Sequence, residues 1–152
     1  MATSYSDIFN AFLYKVEGYK LIQLVTEDRE RILNIYLTAA CRKAYKKVKQ
    51  YVDLNDRDDR MQEFHIDLED DMVDILAEVM VTEWLRPKLY SEELIESRLN
   101  TKDFTEFSPA KLIEQVRAVY DMSELNAKVS INNYTFSHGD IAELNKATVN
   151  KP

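Results

Sequence analysis

The scarcity of glycine and proline is the feature that most restricts the fold of this chain. Only two glycines and three prolines occur among its 152 residues. A sheet-rich fold needs many tight turns, and such turns favour proline or glycine, which readily adopts positive φ. The sequence therefore predicts an all-α protein, and its length is typical of one domain with its own core. We expect a small bundle of four to five helices.

Apolar residues recur at spacings of three and four along most of the chain, as they do in amphipathic helices. The pattern predicts helices over residues 6–16, 27–50, 67–86, 91–99 and 109–122. The second of these is the most clearly marked, because acidic residues occupy its first turn and lysines its last turn. Both ends therefore complement the helix dipole.

The helix expected to begin at Asp67 differs from the others because apolar residues cover most of its circumference. A helix of this kind belongs at the centre of a bundle. Pro87 lacks an amide hydrogen and disfavours helical backbone at Arg86. We therefore expect this helix to stop or kink at Arg86, before a short helix capped by Ser91.

The C-terminal segment shows a different period, because its large apolar residues form two pairs spaced by two, as in an extended strand. A strand that ends a helical chain has few partners of its own, and the sheet edge of another subunit would satisfy its backbone groups. The sequence predicts a helical domain over residues 1–128 and an extended C-terminal arm over residues 129–152, with a disordered end in the free protein. Simple disorder of the whole arm is the alternative. The apolar residues are Val129, Ile131, Tyr134 and Phe136.

The charge balance disfavours nucleic-acid recognition as the main task. Asp and Glu number 27 against 20 Lys and Arg, which gives a net charge of −7. An acidic surface repels phosphate backbones and anionic lipid. One basic cluster near residue 45 is either the solvated, dipole-matched end of a helix, which is the favoured interpretation, or a binding patch. Its members are Arg42, Lys43, Lys46, Lys47 and Lys49.

No motif for catalysis, metal binding or cofactor binding is recognisable in the sequence. The acidic segment from Asp53 to Asp74 lacks the glycine and the ligand spacing of a calcium loop. The two histidines are far apart, and Cys41, the one cysteine, lies within a predicted helix. Such a cysteine is usually inert. We expect a protein that is not an enzyme and needs no cofactor, and no run approaches the roughly twenty apolar residues that span a membrane.

Three stretches of the chain carry a resemblance to a known family. They are SYSDIFNAFLYKV near the start, TEDRERILNIYLTAACRKAYK in the second predicted helix, and a block from Phe64 to Tyr120. The block orders a buried helix, a Trp-Leu-Arg-Pro stop, a short acidic helix and a Lys-Asp-Phe turn before a last helix. In this order the chain resembles, over about residues 4–136, the small helical head-tail connector proteins of tailed bacteriophages. These are also called adaptor, neck or head completion proteins.

The resemblance implies a structural virion protein, made in the bacterial host cytoplasm and located in the virion neck. It would form a ring, expected to be dodecameric, that binds the portal protein above and the next head-closure or tail protein below. The four apolar residues of the arm would dock onto the portal. DNA would pass through the channel without being read, and no membrane is involved. The alternative is a helical regulatory or DNA-binding module that uses the basic cluster.

The acidic segment offers a lining for such a channel. Like charge on the wall would keep the DNA duplex from adhering during passage. The sequence predicts Asp56, Asp58 and Asp59 for this role.

Overall fold

The computed structural model describes residues 2–16, 25–99 and 109–140, and for residues 90–99, 109–113 and 140 it describes the backbone alone. Four α-helices and one short hairpin occur within these ranges, which confirms the predicted all-α class. The elements are α1 (Tyr5–Val16), α2 (Thr26–Val48), β1 (Arg57–Asp58), β2 (Glu63–Phe64), α3 (Asp70–Leu99), α4 (Pro109–Thr135) and a π-helical turn at Phe136–Asp140.

Helix α3 is the centre of the bundle, as its apolar circumference predicts. It packs against α1, α2 and α4. Its buried residues include Met72, Leu76 and Met80, none of which is measurably exposed. Helix α2 buries one side, and its polar side faces solvent; the buried residues are Leu33, Leu37, Ala40, Cys41, Ala44 and Val48. The core therefore lies between α3 and the helices around it.

Of the expected stop or kink at Arg86, the stop is wrong, because α3 continues through Pro87 to Leu99. The separate short helix is wrong as well, because Ser91 lies inside α3 and does not cap a new helix. A proline inside a helix removes one backbone hydrogen bond and is normally destabilising. Here, side-chain contacts hold the helix on both sides of the proline. Lys88 Nζ lies 3.5 Å from the centre of the Trp84 ring, and the Arg86 guanidinium donates to the Tyr120 hydroxyl on α4 at 3.3 Å. Arg86 therefore joins α3 to α4 directly before the proline, and the contact between Lys88 and Trp84, which are four positions apart within α3, spans the proline.

A hairpin connects α2 to α3, where the sequence indicates only a loop and a weak strand or linker. β1 and β2 pair antiparallel, and the N-terminal segment joins them through a bridge between Ser4 and Glu63. The Phe64 amide donates to the Thr3 carbonyl at 2.8 Å. The fully buried Phe64 ring lies 5.3 Å from the Tyr5 ring, measured between centroids. The hairpin thus fixes the start of α1 against the core.

The extended C-terminal arm is a wrong prediction for residues 129–140. Helix α4 runs without a break to Thr135, and the π-helical turn continues it to Asp140. The predicted boundary at residue 129 therefore falls in the middle of a helix. The pairs spaced by two are misleading because Ala127, Ile131 and Tyr134 lie four and three apart, which is helical spacing, and these three side chains are buried. Residues 141–152 of the predicted arm lie outside the described residues.

Candidate interaction surface

Helix α4 has apolar side chains on two opposite faces. The inner face packs against α3 and, less extensively, against α2. Five large apolar side chains of α4 and of the turn that follows it are exposed to solvent. One of them is Val119, which is 54% exposed, and we call the other four the outer row. The outer row consists of Met122, Leu125, Val129 and Phe136, whose exposed fractions are 65%, 59%, 48% and 52%.

The first three members of the outer row form an unbroken apolar stripe, and exposed Asn132 lies between Val129 and Phe136 on the same line. The members of the outer row are separated by three, four and seven positions, which places them along one line of the helix surface. With a rise of 1.5 Å per residue, the row is about 21 Å long. Single exposed apolar residues are common, whereas contiguous exposed apolar stripes mark surfaces that contact other molecules. The outer row is therefore the best candidate for an interaction surface.

The inner face fixes the position of α4, and so the orientation of the outer row. A buried pair of hydroxyls joins α4 to α3, since Thr82 Oγ1 and Ser123 Oγ are 3.0 Å apart. Further along, the Tyr134 ring packs edge-on against Tyr51, with 6.4 Å between centroids. Gly139 lies so close to the Tyr51 ring that any side chain at this position would collide with it. Both the middle and the end of α4 are therefore in contact with the rest of the protein.

His138 adds a polar connection between the end of α4 and the start of α3. Its Nδ1 is 2.8 Å from the Tyr134 carbonyl oxygen, and its Nε2 is 3.0 Å from Glu69 Oε2. Both neighbours accept hydrogen bonds, so the doubly protonated ring satisfies both. The hydrogen bond with Glu69 is the main cause that raises the pKa of His138 above its ordinary value, and the bond with the Tyr134 carbonyl adds to it.

The four residues predicted to dock onto the portal separate into two pairs. Ile131 and Tyr134 are only 9% and 5% exposed and belong to the protein's own core. Val129 and Phe136 are exposed and belong to the outer row. Ile131 and Tyr134 are therefore not accessible to a partner protein in this structure. Because both residues are helical, they also cannot add a strand to the sheet edge of another subunit. The sequence does contain a signal for the outer row that the prediction missed. Met122, Leu125 and Val129 are spaced by three and four positions, as on one face of a helix.

The three carboxylates predicted to line a DNA channel make hydrogen bonds within the hairpin region. Asp56 Oδ1 is 2.7 Å from His65 Nδ1, and this hydrogen bond is the main cause that raises the pKa of His65. Asp58 accepts hydrogen bonds from two backbone amides of the turn. Asp59 accepts a 2.6 Å hydrogen bond from the Tyr5 hydroxyl. These residues stabilise the hairpin, and their role in a channel stays a prediction.

The basic cluster lies exposed along the second half of α2. Lys43 forms an ion pair with Glu83 of α3, which neutralises part of the cluster. Arg42, Lys43 and Lys46 line a shallow surface pocket together with Tyr45. The DNA-binding alternative stays a prediction, and salt-dependent binding of duplex DNA by the isolated protein would be its first sign. All five predicted members, Arg42, Lys43, Lys46, Lys47 and Lys49, are exposed.

Cys41 is buried in the core, and burial raises the pKa of its thiol to about 11. It is therefore protonated at neutral pH, and a protonated thiol is a weak nucleophile.

Comparison of the chain with protein-family models, with curated proteins and with solved structures gave no match. Across the described ranges, no group of three or more His, Cys, Asp or Glu residues is arranged to hold a metal ion. Among the same residues, no helix is long and apolar enough to cross a membrane.

Proposed function

We propose that this protein is a structural assembly protein that acts as a head-tail connector of a tailed bacteriophage. It forms a ring beneath the portal, joins the DNA-filled head to the tail and extends the DNA channel. The observation that supports this proposal is the outer row of α4, an apolar stripe that an isolated protein would leave in contact with water. Burying such a stripe against a neighbouring protein is favourable in proportion to the apolar area removed from water.

The proposed contact uses a rigid helix rather than a flexible arm. Val129 and Phe136 touch the neighbouring protein directly, together with the rest of the outer row. Ile131 and Tyr134 act through the core, because they hold α4 in place. A contact surface that is already ordered loses less conformational entropy on binding than a segment that folds on its partner. The resemblance to connector proteins supports the choice of portal protein and adjacent subunits as the partners.

In the proposed ring, the acidic segment faces the channel, where it repels the DNA duplex and prevents adhesion. Replacing Asp58 or Asp59 by lysine would not test this role cleanly. Asp58 caps the hairpin turn, and Asp59 accepts the hydrogen bond of Tyr5. Such variants would lose the hairpin before any effect on DNA passage could be measured.

The proposal is tested by purifying the protein together with the portal protein encoded in the same genome and imaging the complex by electron microscopy. We expect a ring of this protein on the portal, and we expect the variant Leu125→Ser with Val129→Ser to lose it. The matched control is Tyr14→Ser, which removes an exposed apolar side chain from α1, on another part of the surface. Absence of a complex with the folded wild-type protein would refute the proposal, and so would equal ring formation by the double variant.

A further inference from the structure

We infer that the outer face of α4 pairs with α4 of a second copy of this chain, in an antiparallel arrangement about a two-fold axis. The inference rests on the proposed function in one respect, because it takes the outer row as the assembly surface. The new element is that, in the absence of the portal, a second copy of this chain covers the outer row.

The outer face of α4 has the heptad pattern of a coiled-coil seam. Exposed residues alternate at spacings of three and four over three heptads, which is the period of a left-handed coiled coil. Four of these residues are the outer row. The other three are the small apolar residue Ala118 and the amides Gln115 and Asn132. The first heptad position holds Gln115, Met122, Val129 and Phe136, and the fourth holds Ala118, Leu125 and Asn132.

An antiparallel register matches these positions in size and polarity. In antiparallel coiled coils, a residue at the first heptad position lies beside one at the fourth position of the other helix. With the axis between residues 123 and 124, Met122 lies beside Leu125 of the second copy. In the same register, Ala118 lies beside Val129 of the second copy. The end layers then pair Gln115 with Asn132 of the second copy, so that amides meet amides.

The same register also pairs opposite charges. Asp121 and Lys128 flank the seam one position before Met122 and Val129, and the antiparallel arrangement places Asp121 of each copy near Lys128 of the other. The two-fold axis creates this pair twice. A parallel arrangement would instead place Asp121 near Asn126 and Lys128 near Asn133, without any charge pair. Lys128 is 69% exposed and forms only a long 3.7 Å ion pair with Glu124, so its ammonium group can reach across the seam.

The paired form is distinct from the contacts that would close a ring. A two-fold contact uses the same surface on both copies and is complete with two molecules, whereas the contacts within a cyclic ring join different surfaces. Pairing through α4 would therefore cover the outer row before the protein reaches its portal. Portal and second copy would then compete for the same surface.

Engineered cysteines test the register directly. In the inferred pair, a cysteine at position 118 of one copy lies beside one at position 129 of the other. Two copies of position 118 lie eleven residues apart along the seam, about 16 Å, which exceeds the roughly 7 Å reach of a disulfide. We expect a mixture of the Ala118→Cys and Val129→Cys variants to form a disulfide-linked dimer under mild oxidation, and neither variant alone to form one. The wild-type protein controls for Cys41, which is buried.

Two results of the cysteine experiment would overturn the inference. Cross-linking of either variant by itself would show a parallel arrangement. Absence of cross-linking in the mixture, with both variants folded by circular dichroism, would show that the surfaces do not meet in this register.

A charge reversal gives a second, independent test. Sedimentation equilibrium is expected to show a wild-type species of twice the 17.8 kDa chain mass. Asp121→Lys would place two lysines together and raise the dimer dissociation constant by about tenfold or more. The double variant Asp121→Lys with Lys128→Asp is expected to restore dimerisation, and failure to do so would contradict the register.

The outcomes for pairing and for portal binding are separable. A wild-type protein that stays monomeric at high concentration yet binds the portal would refute the pairing alone. A protein that pairs in solution but does not bind the portal would refute the connector proposal alone.

Discussion

The two faces of α4 both carry apolar side chains but have different environments. On the inner face, Ile131 and Tyr134 lie in the core of the bundle. On the outer face, Leu125 and Val129 are about half exposed. Both sets of residues recur at spacings of three and four, so hydrophobicity and period do not distinguish them. Contact with α3, and less extensively with α2, makes one face core and leaves the other exposed.

The comparison separates two kinds of energetic contribution. A change on the inner face is expected to alter the free energy of unfolding, because it leaves a cavity or an unpaired polar group. A change on the outer face is expected to alter association with another protein and to leave unfolding of the monomer nearly unchanged. The following predictions test this separation, from the largest expected effect to the smallest.

Ile131→Ala is expected to lower the free energy of unfolding by about 2 to 4 kcal/mol, because it removes buried methyl groups and leaves a cavity next to α3. Urea denaturation followed by circular dichroism measures the change. The matched control is Val129→Ala, two positions away on the outer face. Equal losses for the two variants would show that the faces do not differ in the way the structure indicates.

Ser123→Ala is expected to lower the free energy of unfolding by about 1 to 2 kcal/mol, because it leaves the Thr82 hydroxyl without its partner on α4. The double variant Thr82→Val with Ser123→Ala removes both hydroxyls and is expected to be closer to wild type than the sum of the single changes. Additive losses, measured by the same denaturation experiment, would contradict a direct hydrogen bond between the two side chains.

His138→Gln is expected to reduce thermal stability in a pH-dependent way. The folded protein raises the pKa of His138 above its ordinary value of 6.5. The protonated ring therefore stabilises the fold fully below about pH 6.5, and this contribution is lost as the pH rises through the folded pKa. The difference in melting temperature between wild type and variant should be largest near pH 6 and should shrink towards pH 8.

The second histidine provides the control for this pH experiment. His65 pairs with Asp56 and has its pKa raised in the same direction, so both proteins are compared in a His65→Gln background. A difference in melting temperature that is constant with pH would show that His138 packs in this position without depending on its charge.

Leu125→Ala is expected to change the free energy of unfolding by no more than about 0.5 kcal/mol in dilute protein, because its side chain is already exposed. At higher concentration the wild-type melting temperature should rise, since association stabilises the folded state, and the variant should lose this dependence. Scanning calorimetry at several concentrations measures both effects. A large loss of stability at low concentration would place Leu125 in the core.

Several parts of the fold follow from local patterns. Helices α1 and α2 are predicted correctly because each has one apolar face and one polar face, which allows only one orientation against a core. The central position of α3 follows from its nearly continuous apolar circumference. The start of α4 at Pro109 follows from the preference of proline for the first turn of a helix.

Other parts depend on contacts that are distant in the sequence. The hairpin is supported by backbone hydrogen bonds with the N-terminal segment: the Phe64 amide donates to the Thr3 carbonyl, and the Thr3 amide donates to the Ile66 carbonyl. Helix α3 passes Pro87 while Arg86, the residue before the proline, donates a hydrogen bond to Tyr120 on α4. Among the acidic residues predicted to face a channel, Asp59 accepts a hydrogen bond from Tyr5, which lies 54 positions away in the sequence. The basic cluster is partly neutralised by Glu83, which lies 40 positions from Lys43 in the sequence.

The sequence by itself determined that this protein is helical and which residues are apolar, since both depend on composition and on spacing within one segment. The tertiary structure decided which apolar residues of α4 are core and which form a surface. That choice depends on where α3 lies, because a helix with two apolar faces can bury either one and only a packed neighbour selects between them.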